Sequence, residues 1–307
     1  MGEIAFILLQ LVFFIGVAPF LSGLVTRIKN NIRMRRGQSV LQPYYNLAKL
    51  FSKGEVVSGT ASWIFRAAPF VVISSALAAA LLIPVFISSS PLHRMGDLLA
   101  LIFILALGRF FLALAALDAG SSFGGMGSSR EMFISSLTEP VFVLAVFSVS
   151  LQFGSTDISA FGGAHAITVS SIVAAAALFL VTIAETSRIP VDNQETHLEL
   201  TMVHEAMVLE YSGRSLALIE MASYIKQMIF FFLIAQIVLP AAIPVSFELT
   251  RSLLWALWYP VRMIIIAAAV ALVEVSVAKM RLFRVADFLA FAFVLGVIAT
   301  VCAILGV

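Results

Sequence analysis

The sequence predicts an all-α, polytopic membrane protein with about eight transmembrane helices in one integral membrane domain, residues 1–307. Composition supports this prediction, because 61% of the residues are hydrophobic and only 12% are charged. Soluble domains average about 45–50% apolar and about 25% charged residues. The composition therefore excludes a soluble globular enzyme, a disordered protein and a nucleic-acid-binding protein.

The predicted helices follow from apolar segments that are long enough to cross a bilayer, which requires about 20 mostly apolar residues each. The first segment lacks the basic leader and the small-residue cleavage site of a signal peptide, so we interpret it as a membrane span. The eight predicted spans are 4–25, 67–89, 98–117, 132–152, 169–186, 216–243, 256–277 and 287–306.

The basic residues are concentrated in alternate loops, which predicts the orientation of the chain. The opposite loops hold only Arg94 and Arg251. We therefore expect the basic loops in the cytoplasm and both termini outside a bacterial or archaeal cytoplasmic membrane. Fourteen of the nineteen Lys and Arg residues lie in loops 26–66, 118–131, 187–215 and 278–286.

The first long cytoplasmic loop, 26–66, is basic and contains a short helical stretch from Leu47 to Phe51. One interpretation is that its charges set topology and contact anionic lipids. The other is that the loop, much longer than a turn requires, docks a soluble partner protein. The candidate docking residues are Arg33, Arg35, Arg36, Tyr44, Tyr45 and Lys49.

The second long loop, 185–215, is acidic. We expect Pro190 to end the fifth span, residues 197–209 to form an amphipathic helix, and Gly213 to break the chain before the sixth span. Acidic residues contribute little to topology, so their number in this loop needs another explanation. The loop is either a solvated acidic surface or an acid-lined pocket at the membrane surface.

Several ionisable residues lie inside the predicted spans, where Asp, Lys or Arg at a helix centre costs about 2.5–3.5 kcal/mol. They either form a polar path for protons or ions, or make buried ion pairs that fix helix packing. We expect Arg262, near the outer end of its span, to extend its side chain to the interface. The ionisable residues within spans are Arg109, Glu139, Glu220, Lys226, Arg262 and Glu274. With the acidic loop, they give the candidate proton or ion path: Glu131, Glu139, Glu185, Asp192, Glu195, Glu199, Glu210, Glu220 and Lys226.

The sequence assigns no catalytic residue, cofactor site or metal site to this chain. Its one cysteine, Cys302, cannot by itself hold an iron–sulfur cluster. His197 and His204 lack the spacing of a known metal motif. The Gly-rich stretch 120–127 follows no strand, so we interpret it as a flexible turn and not as a phosphate-binding loop.

Residues 184–192, which read AETSRIPVD, and residues 210–213, which read EYSG, resemble the signature loop of the complex I subunit 1 family. This is the family of NADH–quinone oxidoreductase chain 1. The stretch 196–207, together with Gln42-Pro43-Tyr44-Tyr45 and Ser129-Arg130-Glu131, resembles the hydrogenase-type branch, which includes hydrogenase-4 component C and the formate hydrogenlyase membrane subunit.

The resemblance implies a noncatalytic subunit that anchors hydrogenase-like large and small subunits and an iron–sulfur subunit to the membrane. It also implies antiporter-like membrane subunits as neighbours, with the NiFe centre and iron–sulfur clusters held by the partners. Two alternatives remain open: a quinone-site subunit of a respiratory complex I, and a stand-alone secondary ion transporter. The replacement of the usual acidic stretch by residues 196–207 argues against the first alternative.

Overall fold

The computed structural model describes residues 2–85, 96–158, 167–192, 202–240 and 249–306, and within those ranges the chain folds into ten α-helices. The helices are α1 Gly2–Ile32, α2 Gln42–Ser52, α3 Trp63–Leu82, α4 Leu98–Asp118, α5 Ser122–Phe153, α6 Val169–Glu185, α7 His204–Val208, α8 Gly213–Val238, α9 Leu249–Ser276 and α10 Leu282–Leu305.

Each predicted span corresponds to one of the long apolar helices, which confirms the all-α polytopic membrane fold. Seven helices in the described ranges are long and apolar enough to cross a membrane, and α6 is a shorter apolar helix of 17 residues. Helix α8 lies at the centre of the bundle and is the most buried of the seven spans. It packs against α1, α3, α6 and α9.

Helix α5 starts ten residues before the predicted span, at Ser122, so the interpretation of stretch 120–127 as a flexible turn is wrong. The Ser121 side chain caps the helix by accepting a hydrogen bond from the Gly124 amide at 3.1 Å. A Cβ at Gly127 would lie 2.9 Å from the carbonyl oxygen of Val203. The glycines therefore allow α5 to pack closely against the chain around Val203.

The four basic loops meet at one end of the bundle. The Val56 amide donates to the Ser212 hydroxyl at 2.9 Å, which ties the first long loop to the second. The Met280 amide donates to the Pro190 carbonyl at 2.9 Å. At the opposite end of the bundle, the Ile158 amide donates a hydrogen bond to the Gly96 carbonyl at 2.8 Å. This arrangement fits the alternation of basic and non-basic loops in the sequence.

The two long loops differ in how far they match their predicted helices. The stretch from Leu47 to Phe51 lies within α2, as predicted, and Leu47 is buried. Helix α6 ends at Glu185, five residues before Pro190. Of the predicted helix 197–209, only the five residues of α7 are helical in the described part, and residues 193–201 lie outside it.

Arg262 does not reach the interface, so that expectation is wrong. Its side chain is 0% exposed and donates to the Gln236 side-chain oxygen at 2.9 Å and to the Leu239 carbonyl at 2.7 Å. The end of α8 supplies acceptors inside the bundle, and an arginine that finds buried acceptors has no need to extend toward water.

Candidate functional site

A cavity inside the helix bundle brings ionisable side chains together, and we call it the buried cavity. It contains about 540 Å³ of space not occupied by atoms, part of which is open to the exterior. One wall is apolar and comes mainly from α3, α4 and α8. The polar side chains that line it are Ser75, Arg109, Glu131, Glu185, Ser187, His204, Ser223 and Lys226.

Glu185, the last residue of α6, is the shared acceptor of two cations. Its Oε2 lies 2.7 Å from the Lys226 ammonium, and its Oε1 accepts hydrogen bonds from Arg109 and, at 2.7 Å, from the Thr138 hydroxyl. The Glu185 side chain is only 7% exposed. Both of its oxygens are therefore engaged in the ionised form, and ion pairing fixes helices α4, α5, α6 and α8 against one another.

Arg109 also pairs with Glu139, which lies near the middle of α5. Glu139 accepts a second hydrogen bond from the Ser135 hydroxyl at 3.2 Å. Unlike Glu185, it is 43% exposed on the outside of this chain. The Arg109 guanidinium therefore bridges a buried carboxylate and a carboxylate at the lateral surface of the bundle.

Glu131 is the carboxylate of the buried cavity that lacks a direct partner. It is 9% exposed, and it makes no hydrogen bond or salt bridge with any other residue that the structure describes. Lys226 and Arg109 act on it only at longer range. If Glu131, Glu139 and Glu185 are all ionised, they carry one negative charge more than the two cations. One proton or one monovalent cation balances that excess.

A second cavity, which we call the surface cavity, lies beside the first and contains about 860 Å³ of space not occupied by atoms, part of which is open to the exterior. Its polar lining includes Glu205, Glu220 and Tyr224, and Tyr224 hydrogen bonds to Glu220. His204 and Ser223 line both cavities. Burial lowers the pKa of His204 below the ordinary imidazole value, which favours a neutral ring at neutral pH.

A third polar cavity, of about 870 Å³, lies between α1, α9 and the chain after α6. Glu274 accepts from Arg188 at 2.9 Å and pairs with Lys29 at 3.3 Å. Asp192 pairs with Lys279 at 3.0 Å, and its other oxygen accepts from the amides of residues 203 and 204. These contacts fix the start of the acidic loop to α1 and α9.

The structure brings only part of the predicted path together. Glu131, Glu185 and Lys226 line the buried cavity, and Glu139 joins them through Arg109. The other predicted members are dispersed: Glu220 lines the surface cavity, Asp192 the third cavity, Glu210 is exposed, and Glu195 and Glu199 lie outside the described residues.

Sequence reasoning did not include Arg109, His204 or Thr138 among the site residues. Arg109 carried a signal, since an arginine within an apolar helix requires a partner. His204 and Thr138 carried none, because only the folded chain places them beside Glu185 and the two cavities.

The predicted docking residues lie on and before α2. The side chains of Arg35, Arg36, Tyr45 and Lys49 are exposed. The two half-buried members make internal contacts: Tyr44 donates to the carbonyl of Gly16, and Arg33 donates to the carbonyl of Glu274 at 3.5 Å. Partial burial raises the pKa of Tyr44 above its usual value.

A family model described as NADH dehydrogenase matches residues 4–305. The chain belongs to the NADH dehydrogenase family. The resemblance to the complex I subunit 1 family that residues 184–192 and 210–213 predicted is thereby confirmed.

Within the NADH dehydrogenase family, relatives are found in different complexes. Hydrogenase-4 component C of Escherichia coli (strain K12) is 36% identical over 241 residues, which are 77% of this chain and 76% of the relative. Formate hydrogenlyase subunit 4 of the same organism is 30% identical over 280 residues, 90% of each chain. These matches confirm the resemblance to the hydrogenase-type branch.

A match to the quinone-linked part of the family is shorter. NADH-quinone oxidoreductase subunit 8 of Rhodothermus marinus is 30% identical over 207 residues, 64% of this chain and 59% of the relative. A solved chain of the membrane-bound sulfane sulfur reductase, an archaeal respiratory membrane complex, has a TM-score of 0.81 at 18% identity and covers 99% of this chain and 100% of its own length. At that identity, the likeness shows the NADH dehydrogenase family fold alone.

Proposed function

We propose that the chain is a noncatalytic membrane subunit of a multisubunit respiratory or hydrogenase-type complex, and specifically of a membrane-bound [NiFe]-hydrogenase or formate hydrogenlyase complex. The names of the two relatives that cover three quarters or more of this chain support the proposal. The observation that carries the coupling role is the buried cavity, in which Glu131 has no direct cationic partner among the described residues.

The partners in this proposal are hydrogenase-like large and small subunits, an iron–sulfur subunit and antiporter-like membrane subunits. The soluble subunits dock on the exposed residues before and within α2, at the end of the bundle where the four basic loops meet. In the described part of the chain, no three His, Cys, Asp or Glu side chains are grouped so that they could hold a metal ion. In this proposal the partners hold the NiFe centre and the iron–sulfur clusters.

The proposed mechanism is electrostatic. A change of charge in the docked subunits alters the proton affinity of the buried cavity, because charges separated by a poorly hydrated medium interact strongly. Glu131 gains or loses the proton, since Glu185 is held in its ionised form by two cations. Arg109 transmits this change of charge, because it also pairs with Glu139 at the lateral surface of the bundle. A membrane partner that contacts this surface is then exposed to the altered charge.

Copurification tests the assembly part of the proposal. Affinity purification of the tagged chain in mild detergent is expected to recover the soluble hydrogenase-like subunits and the antiporter-like subunits. A chain that purifies alone, remains stable and moves ions in liposomes would instead support the stand-alone transporter.

Glu131→Gln tests the coupling part. This change strands no cation, so the complex is expected to assemble and to retain electron transfer from an artificial soluble donor. Ion-gradient formation is expected to fall roughly tenfold or more, as is typical when a proton-transferring group is lost. The control is Glu210→Gln, an exposed carboxylate outside both cavities. Full coupling in Glu131→Gln, or equal loss in Glu210→Gln, would refute the assignment of the path to this cavity.

The quinone-site alternative has one observation in its favour, the match to NADH-quinone oxidoreductase subunit 8. It predicts quinone in the purified complex and an activity that depends on added quinone. Absence of both, with activity retained, would exclude it.

The proposed orientation places both termini outside the cytoplasmic membrane. Reporter fusions at positions 45, 125 and 282 are expected to report cytoplasm, and a fusion at position 248 the exterior. The reason is the fourteen-to-two distribution of Lys and Arg between the two sets of loops. An exterior signal from position 125 would overturn the orientation.

A further inference from the structure

The buried cavity and the surface cavity share three lining residues, His204, Ile219 and Ser223, which we call the wall between them. The surface cavity holds Glu220 and Glu205, and the buried cavity holds Glu131. Among the described residues, only these three side chains border both spaces. The direct route between the carboxylates of the two cavities therefore passes beside these three side chains.

Only one of the three side chains can both accept and release a proton near neutral pH. Ile219 has no polar atom, and a serine hydroxyl such as that of Ser223 does not titrate in this range. An imidazole accepts a proton at one ring nitrogen and donates from the other, with an unperturbed pKa of about 6.5. The chemistry of the wall therefore singles out His204.

The backbone that carries His204 is held in place on two sides. Its amide donates to Asp192 at 3.1 Å, and Asp192 is itself fixed by Lys279 at 3.0 Å. Two residues before His204, the Met202 carbonyl accepts a hydrogen bond from Arg130 at 2.8 Å. On the other side, the backbone at Val203 packs closely against Gly127 of α5. The backbone at His204 is therefore fixed by these contacts.

The charges around His204 oppose one another. Glu205 on its own helix and Asp192 after α6 favour a protonated ring, whereas Lys226 on α8 and burial favour a neutral one. Glu220 on α8 lines the surface cavity, and Arg109, Glu131 and Glu185 line the buried cavity, so His204 borders both sets of charged groups. A neutral ring with carboxylates on both sides can take up a proton briefly without trapping it.

We propose that His204 transfers protons between the surface cavity and the buried cavity. A proton from the surface cavity, held by Glu220 or by water beside it, binds to the free ring nitrogen of His204. The proton on the other ring nitrogen then leaves into the buried cavity, where Glu131 accepts it. One proton enters and one leaves, no electron moves, and the ring regains its starting form by rotation or by reverse exchange.

This assignment rests on the proposed ion path, and the experiment separates the two. In the complete complex, His204→Gln, His204→Asn and His204→Ala are compared for assembly, for electron transfer from an artificial soluble donor, and for ion-gradient formation per assembled complex. We expect normal electron transfer and a fall of roughly tenfold or more in gradient formation in all three variants. Added imidazole is expected to restore gradient formation in His204→Ala alone, because that variant leaves space for the free base between the cavities.

Each other result has a defined meaning. If Glu131→Gln uncouples the complex and the His204 variants do not, His204 is not the transfer group, while the proposed function stands. If neither position affects coupling, the proposed ion path itself fails. Uncoupling in His204→Ala without recovery by imidazole would overturn the transfer role and leave a structural role. Loss of assembly in all three variants would also overturn the transfer role and leave a structural role. Ser223→Ala is the matched control in the same wall, and an equal loss there would assign the passage to water alone.

Discussion

Replacing Glu185 with glutamine removes the carboxylate that the two buried cations share. Arg109 keeps Glu139 as a partner, but Lys226 loses its only direct ion pair in the described part of the chain. Removing one member of a buried pair costs about 3–5 kcal/mol, because the other charge is left uncompensated. Since Glu131 still acts on Lys226 at longer range, we expect a value near the low end, about 3 kcal/mol.

The assay is thermal unfolding of the full chain in mild detergent. A loss of about 3 kcal/mol corresponds to a fall in Tm of roughly 5 °C, because an unfolding entropy of about 2.1 cal/mol/K per residue gives about 1.5 °C per kcal/mol for 307 residues. Glu139→Gln is the matched control, because its partner Arg109 keeps Glu185 and the side chain is 43% exposed. Its expected cost is about 1 kcal/mol or less.

The double variant Glu185→Gln/Lys226→Met removes both charges. Replacing a buried pair by apolar groups is often neutral, so we expect the double variant to recover at least half of the loss seen in Glu185→Gln. A Tm for Glu185→Gln equal to that of the unaltered chain, or a double variant less stable than the single one, would refute the ion-pair account.

Three further predictions concern other parts of the chain. Charge reversal of Arg35 and Arg36 together should release the soluble subunits while leaving the chain inserted, and unchanged copurification would contradict their docking role. Tyr211→Phe should lower the free energy of unfolding by about 1 kcal/mol, because the hydroxyl donates to the Phe65 carbonyl at 2.9 Å. Tyr211→Ala should cost more, because it also removes the ring that stacks on Phe65, and equal losses in the two variants would contradict this account. His204 binds fewer protons in the folded chain than when unfolded, so stability should fall as pH drops below about 6.5, and less steeply in His204→Gln. Equal slopes would contradict the neutral state of the ring.

Several features of the site could be inferred from the chain alone because they depend on composition. Carboxylates and cations in apolar helices require partners or water wherever they lie. The presence of Glu139, Lys226 and Glu185 in one polar system was therefore predictable. The choice between a proton path and a set of ion pairs was not predictable from the sequence. It depends on distances between residues that are far apart in the chain, such as Arg109 and Glu185, and sequence spacing gives no such distances.

In the part of the chain that it describes, the structure places a paired carboxylate and an unpaired one in the same cavity. Glu185 is held by two cations, which is a structural ion pair, while Glu131 borders the same cavity without a direct partner among the described residues. Asp192, predicted as part of the path, instead accepts two amides before α7 and pairs with Lys279. Similar carboxylates therefore have different roles because their neighbours differ.

The sequence by itself determined that this is a membrane protein of about eight apolar helices, the alternation of its basic loops, and its family. These properties follow from hydropathy, charge counts and local motifs, each of which is readable along one stretch of chain. Only the tertiary structure decided which carboxylate lacks a direct partner and that His204 borders two cavities. Such properties depend on how α5, α7 and α8 pack together, and packing joins residues that are distant in the chain.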